Sequence, residues 1–402
     1  MKVALIAAAR CAERAIFACI PKCMTFQMMG KAGAKGCDLM DLVSRKRFGL
    51  WPVVMMTLLS VGLVNHVTII PLLLDTAKRD AWLSVPVGFI IMLPIVAFPL
   101  HRTLVKLNGK RIDRWLNDRM PRIVAWLVIF TFICIQLMIA FATLVDVVSW
   151  TSSTYLPRTP PVVTACLFCI LCLVAAASGL RTIAFLSCIL LPIVVVLGDF
   201  VMSANMPAKE YSYLLPLLEN GAAPVLKGAL QSLSSFLEIT YLLMIQHHMS
   251  KKFKSWHLVL LTFVLAVLTI GPTVGAITIF GPVEASIMRY PAYTQWRIVK
   301  VGDYIEHVDF FAVYQWLSGA LIRIAMPIYI AHEFGPLRWM KRKWIGLSII
   351  VFLFIIAATI MLKHKLAYER WEETYFWYAG VVQLAILLFV WAIPAKTKRV
   401  KS

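Results

Sequence analysis

Polar positions in this chain fall in clusters, and between the clusters run stretches that carry almost nothing polar. Ten such stretches stand out, at about 51–74, 82–100, 123–149, 160–178, 182–203, 222–246, 256–280, 308–332, 344–362 and 375–394. A hydrocarbon layer of about 30 Å takes roughly 20 helical residues at 1.5 Å each, so each stretch has the length of one helical crossing and exceeds a membrane strand. The pattern predicts an all-α polytopic membrane protein with ten transmembrane helices.

One stretch departs from the others. Residues 211–245, "YSYLLPLLENGAAPVLKGALQSLSSFLEITYLLMI", carry Lys227, three serines (Ser232, Ser234, Ser235) and Glu238 within an apolar span. A carboxylate near the middle of a membrane helix costs about 2.5–3.5 kcal/mol on insertion scales, so Glu238 must face protein, water or a ligand.

Composition agrees with the pattern. Of 402 residues 60% are hydrophobic and only 15% charged, more apolar than one soluble core accommodates. The net charge of +20 raises nucleic acid as a partner. No soluble domain carries a basic stripe, however, and no nucleic acid is implied. The lysines and arginines instead collect in alternate connections, nineteen on one side of the predicted layer against ten on the other. The positive-inside bias places both termini in the cytoplasm, and an even number of crossings requires the same. Trp82, Trp150 and Trp377 near one set of helix ends, with Trp51, Trp256, Trp344 and Trp391 near the other, fit two interfacial belts, with aromatic packing as the alternative.

The domain organisation follows: a basic leader at 1–47, a membrane domain at 48–395 and a basic tail at 396–402. The leader has nine basic residues and four cysteines, and Arg10, Glu13 and Arg14 interrupt what a signal peptide would keep apolar. Either the start is over-extended, with Met40 as an initiator, or the leader is a disordered cytoplasmic segment. Cys166, Cys169 and Cys172 form CxxCxxC inside the fourth stretch, where the spacing lines one helical face with small residues and predicts packing. No metal or cofactor is implied.

The first and sixth stretches are both interrupted midway: "LLSVGLVNHVTIIP" contains Gly62, Asn65, His66 and Pro71, and "QSLSSFLE" leads to Glu238. Discontinuous helices at matching positions in two five-helix halves point to an inverted repeat with a central site, because freed backbone groups persist only where they line a cavity or meet a ligand. The alternative is a simple kink, with serines bonded back to their own carbonyls. Residues 102–122 predict an amphipathic helix on the anionic inner leaflet, with Ile112, Trp115 and Leu116 on its apolar face. Residues 283–306 form a longer connection, either a lid or an inert linker.

Charges inside the spans refine this. Asp146, Asp199 and Asp309 fall at similar depth near the outer mouth and predict an acidic vestibule, with interfacial water or capping loops as the alternative. Arg323 lies fourteen residues, about 21 Å, beyond Asp309 and so near mid-membrane. Glu238 is its natural partner. His66 could carry a proton or be a neutral, hydrogen-bonded group. No P-loop, HExxH or GxSxG in context appears, and an enzyme is not expected.

Several stretches then resemble a known family in unbroken order over residues 48–395: "LLLDTAKRDAWLSV" at 72–85, "YSYLLPLLENG" at 211–221, "GAITIFGP" at 275–282, "YPAY" at 290–293 and "RIVKVGDYIEHVDFFAVYQWLSGALIRIAMPIY" at 297–329. They are similar to the spore germination receptor B-subunit family, the GerAB-type permeases of the amino acid–polyamine–organocation superfamily. The resemblance implies a LeuT-type 5+5 inverted repeat with broken first and sixth helices, residence in the inner membrane of an endospore, and a complex with A and C subunits. It further implies a small-molecule germinant, commonly an amino acid, bound by Gly62, Asn65 and His66 in the first break and Ser232, Ser234, Ser235 and Glu238 in the second. An active amino-acid or organic-cation permease, with a proton on Glu238 or His66, is the alternative. The family pattern is not followed throughout: Phe236 and Leu237 precede Glu238 where a glycine is usual, and His307 replaces the arginine of "ERxD". The bulkier residues predict a smaller or differently shaped pocket.

Overall fold

The computed structural model describes residues 47–300, 308–340 and 342–395. The leader except Arg47, the tail 396–402 and His307 lie outside the described residues. Those residues form helices joined by short connections, and among them pairing of the β type is confined to a single bridge between Phe48 and Met249.

In chain order the helices are α1 (Leu50–Leu63), α2 (Ile69–Ala77), α3 (Ala81–Ile95), α4 (His101–Leu107), α5 (Ile112–Asn117), α6 (Arg122–Thr154), α7 (Pro161–Ser178), α8 (Leu180–Ala204), α9 (Ala222–Leu237), α10 (Leu242–Ile245), α11 (Ser255–Phe280), α12 (Pro282–Ile287), α13 (Pro291–Arg297), α14 (Phe311–Phe334), α15 (Lys343–Leu362) and α16 (Lys365–Ala392). Nine helical runs among the described residues are long and apolar enough to cross a membrane. Side chains such as Ile90, Leu167, Val196, Phe263 and Phe352 are exposed on these runs, and only a hydrocarbon environment removes them from water. The protein is an integral multi-pass membrane protein.

The first run, Leu50–Leu107, is 58 residues long and would measure about 87 Å if straight. It is not straight. Lys78 has φ 52° and ψ −121°, which ends α2, and a 3-10 turn at Lys78–Asp80 leads into α3. Thr76 and Gly88, about 18 Å apart on a straight helix, both meet the same two turns of α9: Thr76 Oγ1 accepts from Gln231 Nε2 (3.1 Å), and Gly88 packs on Ala229 and Ser232. The chain therefore folds back at Lys78–Asp80. Asp80 Oδ1 accepts the Leu218 N–H (2.9 Å), and Arg79 Nη1 donates to the Leu215 carbonyl (2.6 Å), tying the turn to the segment before α9. The first two expected spans are the two arms of this hairpin.

The expected interruptions occur in a milder form than unwound backbone. The first is a π-helical segment, Val64–Thr68, between α1 and α2. Pro71 explains it: proline has no N–H for the Val67 carbonyl and its ring would clash there, and a widened turn relieves both. A second π segment, Val96–Leu100, contains Pro99. In the sixth span α9 tightens at Glu238–Tyr241 into a 3-10 turn, continues as α10 and ends in another 3-10 turn at Gln246–His248.

The sixth span is the axis of the bundle. In its most apolar window 94% of residues are buried, against 67% for α14 and 28% for α8. Small residues let neighbours approach it closely, as at membrane helix interfaces generally. A Cβ on Gly88 of α3 would lie 2.7 Å from the Ala229 carbonyl, and one on Gly380 of α16 would lie 2.6 Å from the Ser234 Cβ. Lys227 sits on the exposed side of α9.

One expectation about the periphery changes. The stretch 102–122 is not one leaflet-bound helix: α4 continues the first run, Asn108 and Gly109 turn at positive φ, and α5 follows. Ile112, Trp115 and Leu116 are buried in protein instead of facing lipid. An apolar stripe has the same pattern whether protein or lipid covers it. Cys169 and Cys172 are buried on α7, which packs against α15, so this part of the CxxCxxC is a packing face.

Candidate functional site

Glu238 begins the 3-10 turn of the sixth span, and Arg323 stands in the middle of α14. Arg323 Nη2 donates to Glu238 Oε1 (2.7 Å) and Nη1 to Oε2 (2.5 Å), a two-point pair with both residues buried. The guanidinium is also held from behind: Nε donates to Thr143 Oγ1 of α6 (2.9 Å) and Nη1 to the Ser60 carbonyl of α1 (3.2 Å). Four helices therefore meet on one cation. Such pairing is what a charge in hydrocarbon requires, since removing one partner strands the other.

One turn before Glu238, the π segment is joined directly to the end of α9. Asn65, in the π segment, donates from Nδ2 to the Val61 carbonyl (2.8 Å), and its Oδ1 accepts from Ser235 Oγ (2.9 Å) and from Thr269 Oγ1 of α11 (3.1 Å). The single Ser235 hydroxyl proton is shared between Asn65 Oδ1 and the Ser232 carbonyl (2.8 Å), while the Ser232 hydroxyl is buried with no hydrogen-bond partner. Ser234 points elsewhere and bonds the Phe376 carbonyl of α16 (2.5 Å). Gly62 packs on Leu268, and His66 Nδ1 lies 3.3 Å from the Leu268 carbonyl. Of the seven residues expected to form a ligand site, Asn65, Ser232 and Ser235 meet at this junction, Glu238 lies one turn further on with its carboxylate on Arg323, Gly62 and His66 face α11, and Ser234 faces α16.

Asp146, Asp199 and Asp309, expected to form one vestibule, share no hydrogen-bond partner among the described residues. Asp146 is buried and lies 3.3 Å from Arg289 Nη2, which also reaches Glu372 Oε2 at 2.8 Å. Asp309 accepts from the Tyr155 and Tyr293 hydroxyls (3.3 and 3.0 Å). Asp199 is exposed on α8. Beside Arg289 lies a cavity of about 150 Å³ lined by Ser149, Ser153, Tyr290, Tyr368 and neighbouring apolar residues. Burial and then the nearby Asp146 charge push the Tyr290 hydroxyl up to about 12, so it stays a donor. Trp150, between Asp146 and Tyr155 on α6, stacks on Trp316 of α14 with ring centroids 4.3 Å apart.

A second polar cluster sits at the opposite end of α14. Glu333 Oε1 lies 3.1 Å from Nε2 of both His247 and His248, at the end of the sixth span, and 3.4 Å from Arg111 Nη1. Arg111 is in turn bound to Asp113 at 3.2 and 3.1 Å, and Arg338 reaches Asp113 at 3.2 Å. Burial raises the Asp113 carboxyl, but the Arg111 bonds and charge outweigh it and hold the group below its ordinary value. Sequence reasoning missed this cluster and the Arg289–Glu372 pair, because their members lie at span ends and in connections, where charge is expected. The one available signal was Glu372, seated three residues before the tenth apolar stretch.

A helical, multi-pass membrane protein whose most buried helix carries a paired carboxylate has the construction of a permease-type or receptor-type protein. The comparison with known proteins narrows this. The family described as spore germination protein matches residues 50–369. Spore germination protein XB of Bacillus anthracis is 33% identical over 354 residues, covering 84% of this chain and 96% of that protein. YfkT of Bacillus subtilis (strain 168), a candidate spore germination protein, is 26% identical over 277 residues, covering 68% and 74%. The chain belongs to the spore germination permease family.

Proposed function

We propose that this chain is the ligand-recognising membrane subunit of a germinant receptor: a small nutrient molecule binds at the junction of the first and sixth spans, and the resulting change passes to A and C partner subunits. The observation that carries the reading is the Asn65–Ser235–Thr269 junction, where the π segment of one span meets the last turn of α9, just ahead of the 3-10 turn that begins at Glu238. Both segments depart from α geometry at functional sites in a manner common to π-bulges and 3-10 hinges. A ligand that competes for the Asn65 or Ser235 groups shifts the balance between two packings by its differential affinity for them.

Further parts of the reading rest on the family and the charge pattern. They are ten crossings in a 5+5 LeuT-type repeat, residence in the inner spore membrane and cytoplasmic termini. The hairpin at Lys78–Asp80, which divides the 58-residue run in two, supports the count of ten. The germinant class is a small polar molecule such as an amino acid, since the junction offers hydroxyl and amide groups. The test is the germination threshold of spores carrying Ser235→Ala or Asn65→Ala, with protein level in the membrane measured alongside. A shifted threshold at normal protein level is expected; an unchanged threshold for every germinant tried removes the junction from recognition.

A further inference from the structure

Two histidines and a glutamate meet where the sixth span and α14 end on the same side. His247 Nε2 and His248 Nε2 each lie 3.1 Å from Glu333 Oε1, His248 Nε2 also lies 3.1 Å from Oε2, and the three ligand atoms fall within 4.8 Å of one another. A tetrahedral ion with bonds of about 2.0–2.2 Å to imidazole nitrogen and carboxylate oxygen sets its ligand atoms roughly 3.3 Å apart. The two nitrogen–oxygen separations of 3.1 Å need only a small outward adjustment to admit one. The imidazoles lie against each other at a tilt of 41°, with centroids 4.1 Å apart, and both Nε2 atoms reach the same Glu333 oxygen. Without an ion Glu333 accepts the proton of His247 Nε2; His247 Nδ1 is buried with no hydrogen-bond partner, so the ring proton can move there when Nε2 turns to an ion without breaking a bond at Nδ1.

We propose that His247, His248 and Glu333 form a binding site for a divalent transition-metal ion of the zinc class. Two imidazoles and one carboxylate suit zinc and its first-row neighbours and not magnesium or calcium, which prefer oxygen ligands. Three protein ligands leave a fourth position for water or a partner group. Arg111 is the competitor, because its Nη1 lies 3.4 Å from the same Glu333 oxygen. It need not be stranded when an ion arrives, since Asp113 already holds it at two points. The ion would join the sixth span to α14, the same two helices that Glu238 and Arg323 join at mid-depth. Metal occupancy would therefore set how freely one helix moves against the other, a regulatory input separate from recognition at Asn65 and Ser235.

The test uses the full chain purified in lipid nanodiscs, stripped with chelator and titrated with Zn²⁺ alone, with Mg²⁺ as the control. One zinc ion per chain, no magnesium binding and a zinc-dependent rise in thermal midpoint are expected. His248→Gln and Glu333→Gln should each weaken zinc binding at least tenfold, and Arg111→Gln, which removes the competitor, should tighten it. Zinc bound equally by wild type, His248→Gln and Glu333→Gln would place the ion on other histidines or cysteines and overturn the proposal. So would the absence of stoichiometric binding by the folded wild-type protein.

Discussion

Arg323 and Glu238, 85 residues apart in sequence, face each other through two hydrogen bonds, at 2.7 Å between Nη2 and Oε1 and 2.5 Å between Nη1 and Oε2. The cation also binds Thr143 and the Ser60 carbonyl, so α1, α6, α14 and the sixth span converge on one guanidinium. Loss of either charge leaves the other buried alone, and the cost of that is about 3–5 kcal/mol.

Glu238→Leu and Arg323→Met should therefore each lower the thermal midpoint of the purified protein and its yield in the membrane. The double variant Glu238→Leu/Arg323→Met should recover most of the loss, because an apolar pair needs no compensation. A double variant as unstable as the sum of the singles would show that Thr143 and Ser60, not mutual pairing, dominate the energetics.

The Asn65–Ser235 bond is accessible to a double-mutant cycle. Hydrogen bonds between membrane helices average about 0.6 kcal/mol and reach about 1.7. With Thr269 also donating to Asn65 Oδ1, we expect Asn65→Ala to cost more than Ser235→Ala, and a positive coupling in that range between the two. Unfolding of the four proteins in mixed micelles measures it.

Gly88 has no room for a side chain against the Ala229 carbonyl and Ser232. Gly88→Val should destabilise by about 1–3 kcal/mol through overpacking, while Gly221→Ala, where a Cβ meets nothing within 4 Å, would suffer only from its φ of 77°. The two variants compared by thermal unfolding separate steric conflict from backbone strain.

The Asp113 carboxyl is held below its ordinary value by Arg111 and Arg338 despite its burial. A depressed folded-state value means that the unfolded chain takes up the proton first as pH falls. Asp113 therefore contributes its full stabilisation above the ordinary carboxylate value of 3.8 and loses it at lower pH, as the folded group itself titrates. Asp113→Asn should flatten the acid limb of a stability–pH profile below about pH 4 and lower stability at neutral pH. An acid limb unaltered by the substitution would exclude this carboxyl as its source.

How much the sequence revealed depended on whether a residue stood out from its surroundings. Glu238 and Arg323 did, because a charge at mid-depth demands a partner and few candidates share that depth. Asn65 and Ser235 were visible for the same reason, as polar groups beside helix-disturbing residues. His247, His248, Arg111 and Glu333 were not, because at a span end charge and imidazole look like ordinary interfacial chemistry. Ile112, Trp115 and Leu116 misled, since their stripe records only that something apolar covers it. The hairpin at Lys78–Asp80 explains why ten apolar stretches correspond to nine continuous helical runs among the described residues.

Trp150 and Trp316, stacked 4.3 Å apart, give the protein a native optical gauge. Two indoles this close share their excitation, and the resulting near-ultraviolet circular dichroism depends on their mutual orientation. One ring rides on α6 beside Asp146 and the other on α14 two turns from Arg323. Any rotation of those helices against each other is thus written into the spectrum of the unlabelled chain.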